Sequence, residues 1–247
     1  MVLGCAAPFA ASPLLADRCQ DTVTRISART SHLEVPAHFR RVDARKMGGE
    51  FDPNQYFAIL DHLRLPFGKT LDYFYYYDGL GGFPILYVRP MEQQPFATRN
   101  DFEAAHGVFS PEALQYAYTL DLQIDDTAEG YLQFIILRIM GIQFYQYWHA
   151  AYLDHRIICS QTGLEALLAA PTARGIPLPP DVQAKARGLN VIPSITMEPD
   201  LVRVQLVIFT DWGGFIRRTY TINRQFPHRT TEVTRETLIE YGSGVVF

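Results

Sequence analysis

The feature that most constrains the fold is an aromatic run that ends in a glycine-rich turn. Leu71–Tyr77 is rich in tyrosine and phenylalanine, which pack well on the pleated surface of a strand. Asp78–Gly82 supplies the glycines that a tight turn needs, and Phe83–Val88 has the pattern of a returning strand. These residues predict an antiparallel β-hairpin.

A second strand–turn–strand pattern lies towards the C-terminus. Leu201–Phe209 is apolar and β-branched, Asp211–Gly214 predicts a tight turn, and Phe215–Ile222 alternates apolar with polar residues. Residues 237–247 predict a final strand or a pair of short strands. Repeated hairpins are typical of a mainly antiparallel sheet.

Helical patterns lie between these strands. Asp52-Pro53 suits a helix start, because aspartate caps and proline fits the first turn, and an apolar face continues to Leu63. Shorter helices are predicted at 17–29, 162–170 and 180–186.

The segment Tyr131–Met140 is strongly apolar and rich in isoleucine. We predict a strand of a β-meander here, with a bulge at Gly141. The alternative is a helix that is apolar on every side and therefore deeply buried.

The chain therefore predicts the α+β class. We expect residues 31–247 to form a single domain with a mainly antiparallel sheet built from hairpins and a meander, and with helices packed on one face. We expect residues 1–30 to be a peripheral segment that contains a short helix.

Composition excludes several classes of function. The net charge is −4, and the 22 basic residues are scattered without a run that would suit nucleic acid. No cysteine or histidine spacing predicts a metal site, and we expect no cofactor. No segment is long and apolar enough to predict a transmembrane helix.

The N-terminus and the cysteines suggest a location. Val2-Leu3-Gly4-Cys5 resembles a bacterial lipobox, which predicts a lipid anchor at Cys5 and a place at the periplasmic side of the envelope. Cys19 and Cys159 then form the disulfide candidate. The alternative is a cytoplasmic protein with three free thiols.

One cluster of residues suggests catalysis. His149, Asp154 and His155 fall within seven positions and would suit general acid–base chemistry. The polar stretch 90–112 could then serve as a lid. The alternative is that these side chains belong to a strand end and a turn.

The aromatic residues suggest binding instead. Tyr73, Tyr75, Tyr77 and Trp212 are candidate contacts for a small molecule or a protein, although the tyrosines also suit a core. Because no catalytic signature is present, the sequence favours a non-enzymatic binding module. A hydrolase or transferase that uses the histidine cluster is the alternative.

Overall fold

The computed structural model describes residues 13–148, 153–172 and 175–242. Its contacts divide the chain into two units. The first unit consists of Thr22–Arg156 together with Gln225–Arg229, and the second unit consists of the rest of the chain. Each unit combines helices with antiparallel strands.

The first unit is organised around the predicted hairpin. Its strands are β1 (Leu63–Arg64), β2 (Lys69–Tyr77), β3 (Gly81–Pro90), β4 (Gln123–Ile124) and β5 (Tyr147–Trp148). Strands β2 and β3 pair along their whole length, from Lys69 opposite Pro90 to Tyr77 opposite Gly82, and β5 pairs with the start of β3. Strands β1 and β4 form a separate short ladder.

Short helices surround this hairpin. The 3-10 helices are Ala37–Phe39, Pro53–Ala58 and Ala117–Asp121, and the α-helices are α2 (Arg99–His106), α3 (Pro111–Leu114) and α4 (Ala128–Met140). Asp52 caps the second 3-10 helix as predicted, but that helix ends at Ala58 and does not continue to Leu63. The polar stretch 90–112 contains α2 and the start of α3.

Helix α4 replaces the strand that we predicted at Tyr131–Met140, so the buried-helix alternative is correct there. Thr127 starts the helix, since its hydroxyl oxygen accepts from the backbone N–H of Gly130 at 3.0 Å. Ten of its thirteen residues are buried, so there is no polar face to produce a helical period. Gly141 ends this helix and does not form a bulge.

Aromatic side chains fill both faces of the hairpin. On one face Tyr75 stacks on Phe39, with ring centroids 4.4 Å apart, and Tyr73 meets Phe144 edge-to-face at 5.0 Å. On the other face Phe74 packs against Phe102 of α2 at 4.9 Å. The alternation of β2 therefore places aromatic rings in two separate layers.

The second unit has one larger antiparallel sheet. Its strands are β6 (Arg156–Ile158), β7 (Ser194–Met197), β8 (Leu201–Thr210), β9 (Gly214–Asn223) and β10 (Thr230–Ile239). Their order is β10-β9-β8-β6, with β7 also paired to β8. Strands β8 and β9 form the second predicted hairpin, and the last strand begins seven residues before the predicted position 237.

Two helices pack on one face of this sheet. They are α5 (Gln161–Ala169) and α6 (Pro180–Arg187), close to the predicted positions. Leu164 of α5 and Val182 of α6 join a cluster with Val207, Phe209 and Phe215 of the sheet. Burial of these apolar side chains gives the unit its core.

The helix predicted near the N-terminus is α1 (Pro13–Thr30). It buries Cys19 and Ile26 completely. Cys19 is bonded to Cys159, with an S–S distance of 2.02 Å and a Cα–Cα distance of 5.6 Å. These are the two cysteines that the sequence analysis names as the disulfide candidate.

The α+β class with mainly antiparallel sheets is confirmed. None of the described helices combines the length and the apolarity that crossing a bilayer requires.

Candidate functional site

The site begins with a carboxylate that β2 carries into the protein interior. Asp72 is only 5% exposed, although it belongs to an otherwise aromatic strand. Its Oδ1 accepts from Lys46 Nζ and from the backbone N–H of Tyr73, and its Oδ2 accepts from Arg89 Nε at 2.8 Å. These bonds offset the cost of burying the charge.

Arg89 lies near the end of β3 and is held by several backbone carbonyl groups. Its Nη1 donates to the carbonyl oxygens of Pro90 at 3.2 Å, Met91 at 3.4 Å and Gln93 at 2.5 Å. The Tyr87 hydroxyl is a further hydrogen-bond partner of the guanidinium. The guanidinium is therefore fixed in place from several sides.

Lys46 approaches the same carboxylate from a loop. Its backbone N–H donates to the carbonyl of Ala97 at 2.9 Å, and its Nζ lies 4.3 Å from the centre of the Tyr73 ring. The side chains of Lys46 and Arg89 are 16% and 14% exposed. Since these two cations share one carboxylate, the trio has a net positive charge, and Nζ also has donors to spare.

The loop after Lys46 is closed on itself by Glu50. The carboxylate accepts from the backbone N–H groups of Met47 at 2.6 Å and Gly48 at 2.8 Å, and His38 Nε2 lies 3.0 Å from it. Gly48 and Gly49 have φ of +93° and +85°, a conformation that other residues rarely adopt. The glycines thus allow the sharp turn that Glu50 then holds.

The electrostatics of Glu50 follow from these bonds. Burial acts to raise the pKa of its carboxyl, but hydrogen bonds from backbone N–H groups and from His38 outweigh that effect. The pKa of Glu50 is therefore below its usual value, so the carboxylate is ionised at neutral pH.

The Asn54 side chain fixes another part of the site. Its Nδ2 donates to the carbonyl of Leu71 at 2.8 Å, and its Oδ1 accepts from the N–H of Leu71 at 2.9 Å and from the Thr70 hydroxyl at 3.1 Å. Asp52 Oδ1 accepts from the backbone N–H of Asn54 at 2.9 Å. These bonds attach the 3-10 helix that follows Asp52 to the outer edge of β2.

Together these groups line a cleft of about 520 Å³, which we call the polar cleft. Its volume is within the usual range for small-molecule sites. Its lining residues are Lys46, Met47, Gly48, Gly49, Glu50, Phe51, Asp52, Pro53, Asn54, Thr70, Leu71, Asp72, Arg89, Pro95 and Ala97.

The structure places the aromatic candidates in different environments. Tyr73 and Tyr75 are buried in the aromatic core, and burial raises the pKa of both hydroxyls. Tyr77 is half-buried, and it lines a smaller cavity of about 170 Å³ together with Tyr75. Trp212 is half-buried in the turn between β8 and β9 of the second unit. None of the four lines the polar cleft.

The catalytic candidates are only partly described. His149 and Cys5 lie outside the described residues. Asp154 and His155 are half-buried just before β6, where Gln143 Nε2 donates to the His155 carbonyl at 2.9 Å. The enzyme alternative and the lipid anchor stay predictions.

Sequence reasoning missed the polar cleft, although two signals pointed to it. Asp72 is the only charge within the aromatic run, and a charge in a buried strand needs a cationic partner. Lys46 is one of only three lysines in a chain whose other basic residues are arginine. In the hairpin register Arg89 stands opposite Thr70, two residues from Asp72 on the same strand. The side chains of Asp72 and Arg89 therefore lie on the same face of the hairpin, where they can meet diagonally.

Among the described residues no group of three or more histidine, cysteine, aspartate or glutamate side chains could hold a metal ion. In comparisons with known proteins, no family model, curated protein or solved structure matches this chain.

Proposed function

We propose that this protein is a non-enzymatic binding module and that its polar cleft binds a small molecule through an anionic group. The observation that carries the proposal is the arrangement of Lys46 and Arg89 on Asp72. Two nearly buried cations share a single carboxylate, and Lys46 Nζ retains N–H donors beyond its bond to Asp72.

The arrangement favours binding over catalysis for a chemical reason. Lys46 Nζ donates to the Asp72 carboxylate, which places this lysine in the site as a hydrogen-bond donor. Arg89 stays protonated in any protein environment. The pair is therefore suited to hold a carboxylate or a phosphate group by charge-assisted hydrogen bonds.

We also propose that the protein is exported to an oxidising compartment, with the bacterial envelope as the place that the sequence suggests. The support is the contact between Cys19 and Cys159, because paired cysteines persist mainly outside the reducing cytoplasm.

Titration with inorganic phosphate and with glutarate tests the binding proposal. We expect both anions to bind and to raise the melting temperature, because a ligand that binds only the folded state stabilises it. Lys46→Met should weaken binding by about tenfold or more, since a charge-assisted hydrogen bond is lost. Calorimetry or NMR titration gives the dissociation constants.

Lys69→Met is the matched control, because Lys69 is exposed and does not line the polar cleft. Circular dichroism must show that both variants fold. Equal binding by the two variants, or no response of the unmodified protein to either anion, would show the proposal to be wrong.

A further inference from the structure

The polar cleft has an acidic wall in addition to its cation pair. Glu50 and Asp52 both line it. The carboxylate of Glu50 is already occupied by two backbone N–H groups and His38. Asp52 is exposed, and the hydrogen bonds from Asn54 that it accepts are both at Oδ1, from the backbone N–H at 2.9 Å and from Nδ2 at 2.7 Å.

The second oxygen of Asp52 is therefore available to a ligand. Within the described part of the chain, Asp52 Oδ2 makes no hydrogen bond. An ionised carboxylate oxygen can accept about two hydrogen bonds, and an ammonium group is a donor that matches it.

The lining of the cleft carries two cations, Lys46 and Arg89, and three carboxylates. Asp72 accepts from both cations, and Glu50 accepts from backbone N–H groups of its loop and contacts His38. Asp52 is the carboxylate that keeps an oxygen for a ligand, and it lines the same cleft as the two cations.

We infer that the ligand is a small zwitterion, whose anionic group binds at Lys46 and Arg89 and whose ammonium group binds at Asp52. The inference rests on the proposed function and names the ligand class for the same cleft. Free amino acids and aminoalkyl phosphates have this combination of charges. A ligand with only the anionic group would bring a like charge near Asp52 and gain nothing there.

The size of the effect follows from the strength of a charge-assisted hydrogen bond. A hydrogen bond between an ammonium group and the Asp52 carboxylate is worth about tenfold in affinity. We therefore expect a preference of about tenfold for the zwitterion over the matched anion.

Two probe pairs that differ in an ammonium group test the inference. L-glutamate is compared with glutarate, and phosphoethanolamine with ethyl phosphate, by calorimetric or NMR titration of the full chain. The unmodified protein should bind the zwitterion of each pair about tenfold more tightly. Asp52→Asn should abolish that preference without weakening glutarate binding, and asparagine caps a helix start as well as aspartate does.

Asp43→Asn is the control, because Asp43 is exposed and lies outside the polar cleft. The Asp43→Asn variant should prefer the zwitterion as strongly as the unmodified protein does. Equal binding of both members of each pair, or a preference that survives Asp52→Asn, overturns the zwitterion and leaves the anion site intact. No binding of any probe overturns the proposed function as well.

Discussion

At the scale of single residues, the polar cleft depends on carboxylates that are held inside the protein. Asp72 is held by two cations, whereas Glu50 is held mainly by backbone N–H groups of its own loop. These two ways of holding a buried carboxylate have different consequences for ligand binding. Lys46, which holds Asp72, keeps N–H donors for a ligand. Glu50 accepts from the backbone N–H groups of its loop and therefore stabilises the loop.

The lowered pKa of Glu50 predicts a pH-dependent contribution to stability. A carboxyl whose pKa is lower in the folded state stabilises the protein fully above its unfolded pKa of about 4.3, and that contribution is lost as the pH falls through the folded value. Glu50→Gln should therefore cost about 1 kcal/mol at neutral pH. The cost should fade as the pH falls below about 4.

Urea denaturation across this pH range measures the effect. Glu92→Gln is the control, because Glu92 is exposed and away from the polar cleft. If Glu50→Gln and the unmodified protein differ by the same free energy at every pH, the bonds to Glu50 do not contribute in this way.

At the scale of elements, helix α4 shows how packing limits what the backbone tolerates. Gly130 lies in its first turn, and a Cβ there would be 2.2 Å from the backbone oxygen of Asp125. Helix propensity alone favours alanine over glycine by about 1 kcal/mol. The contact with Asp125 reverses that sign, because a backbone atom cannot move aside as a flexible side chain can.

Gly130→Ala should therefore destabilise the protein, by about 1 to 3 kcal/mol as is typical of overpacking. Gly188→Ala is the matched control at the end of α6, where a Cβ would lie 3.4 Å from the Lys185 oxygen, an ordinary contact. Urea denaturation compares the two variants. A neutral or stabilising Gly130→Ala would mean that propensity outweighs the contact.

At the scale of the whole molecule, one disulfide closes most of the chain. Cys19 and Cys159 both belong to the second unit and are separated by 140 residues, and the main segment of the first unit, Thr22–Arg156, lies between them in sequence. Closing so long a loop restricts the unfolded chain more than the folded one.

The chain-entropy model gives about 4 to 5 kcal/mol for such a loop. Reduction should lower the melting temperature. Cys19→Ala should lose similar stability and should no longer respond to reductant. Thermal denaturation with and without reductant measures both effects, and a thiol assay provides the control. Two titratable thiols at these positions in the unreduced folded protein would refute the bond.

The sequence by itself determined the elements whose signals are local. The hairpins of β2 with β3 and β8 with β9 follow from glycine turns between apolar runs, and α5 and α6 lie close to the helices predicted at 162–170 and 180–186. The pairing of Cys19 with Cys159 followed from the cysteine count together with the expectation that Cys5 carries lipid. Such signals depend on neighbours in the chain and need no tertiary contact.

Only the tertiary structure showed that α4 is a helix and that the polar cleft exists. An apolar segment such as Tyr131–Met140 has the same hydrophobicity as a buried strand, so only packing on every side distinguishes the helix. The cleft joins Lys46, Asp72 and Arg89, which are 26 and 17 residues apart. Asp72 and Lys46 stand out in the sequence, but the sequence does not show that the hairpin register and the loop bring these charges together with Arg89, because the pairing of buried charges arises only when the chain has folded.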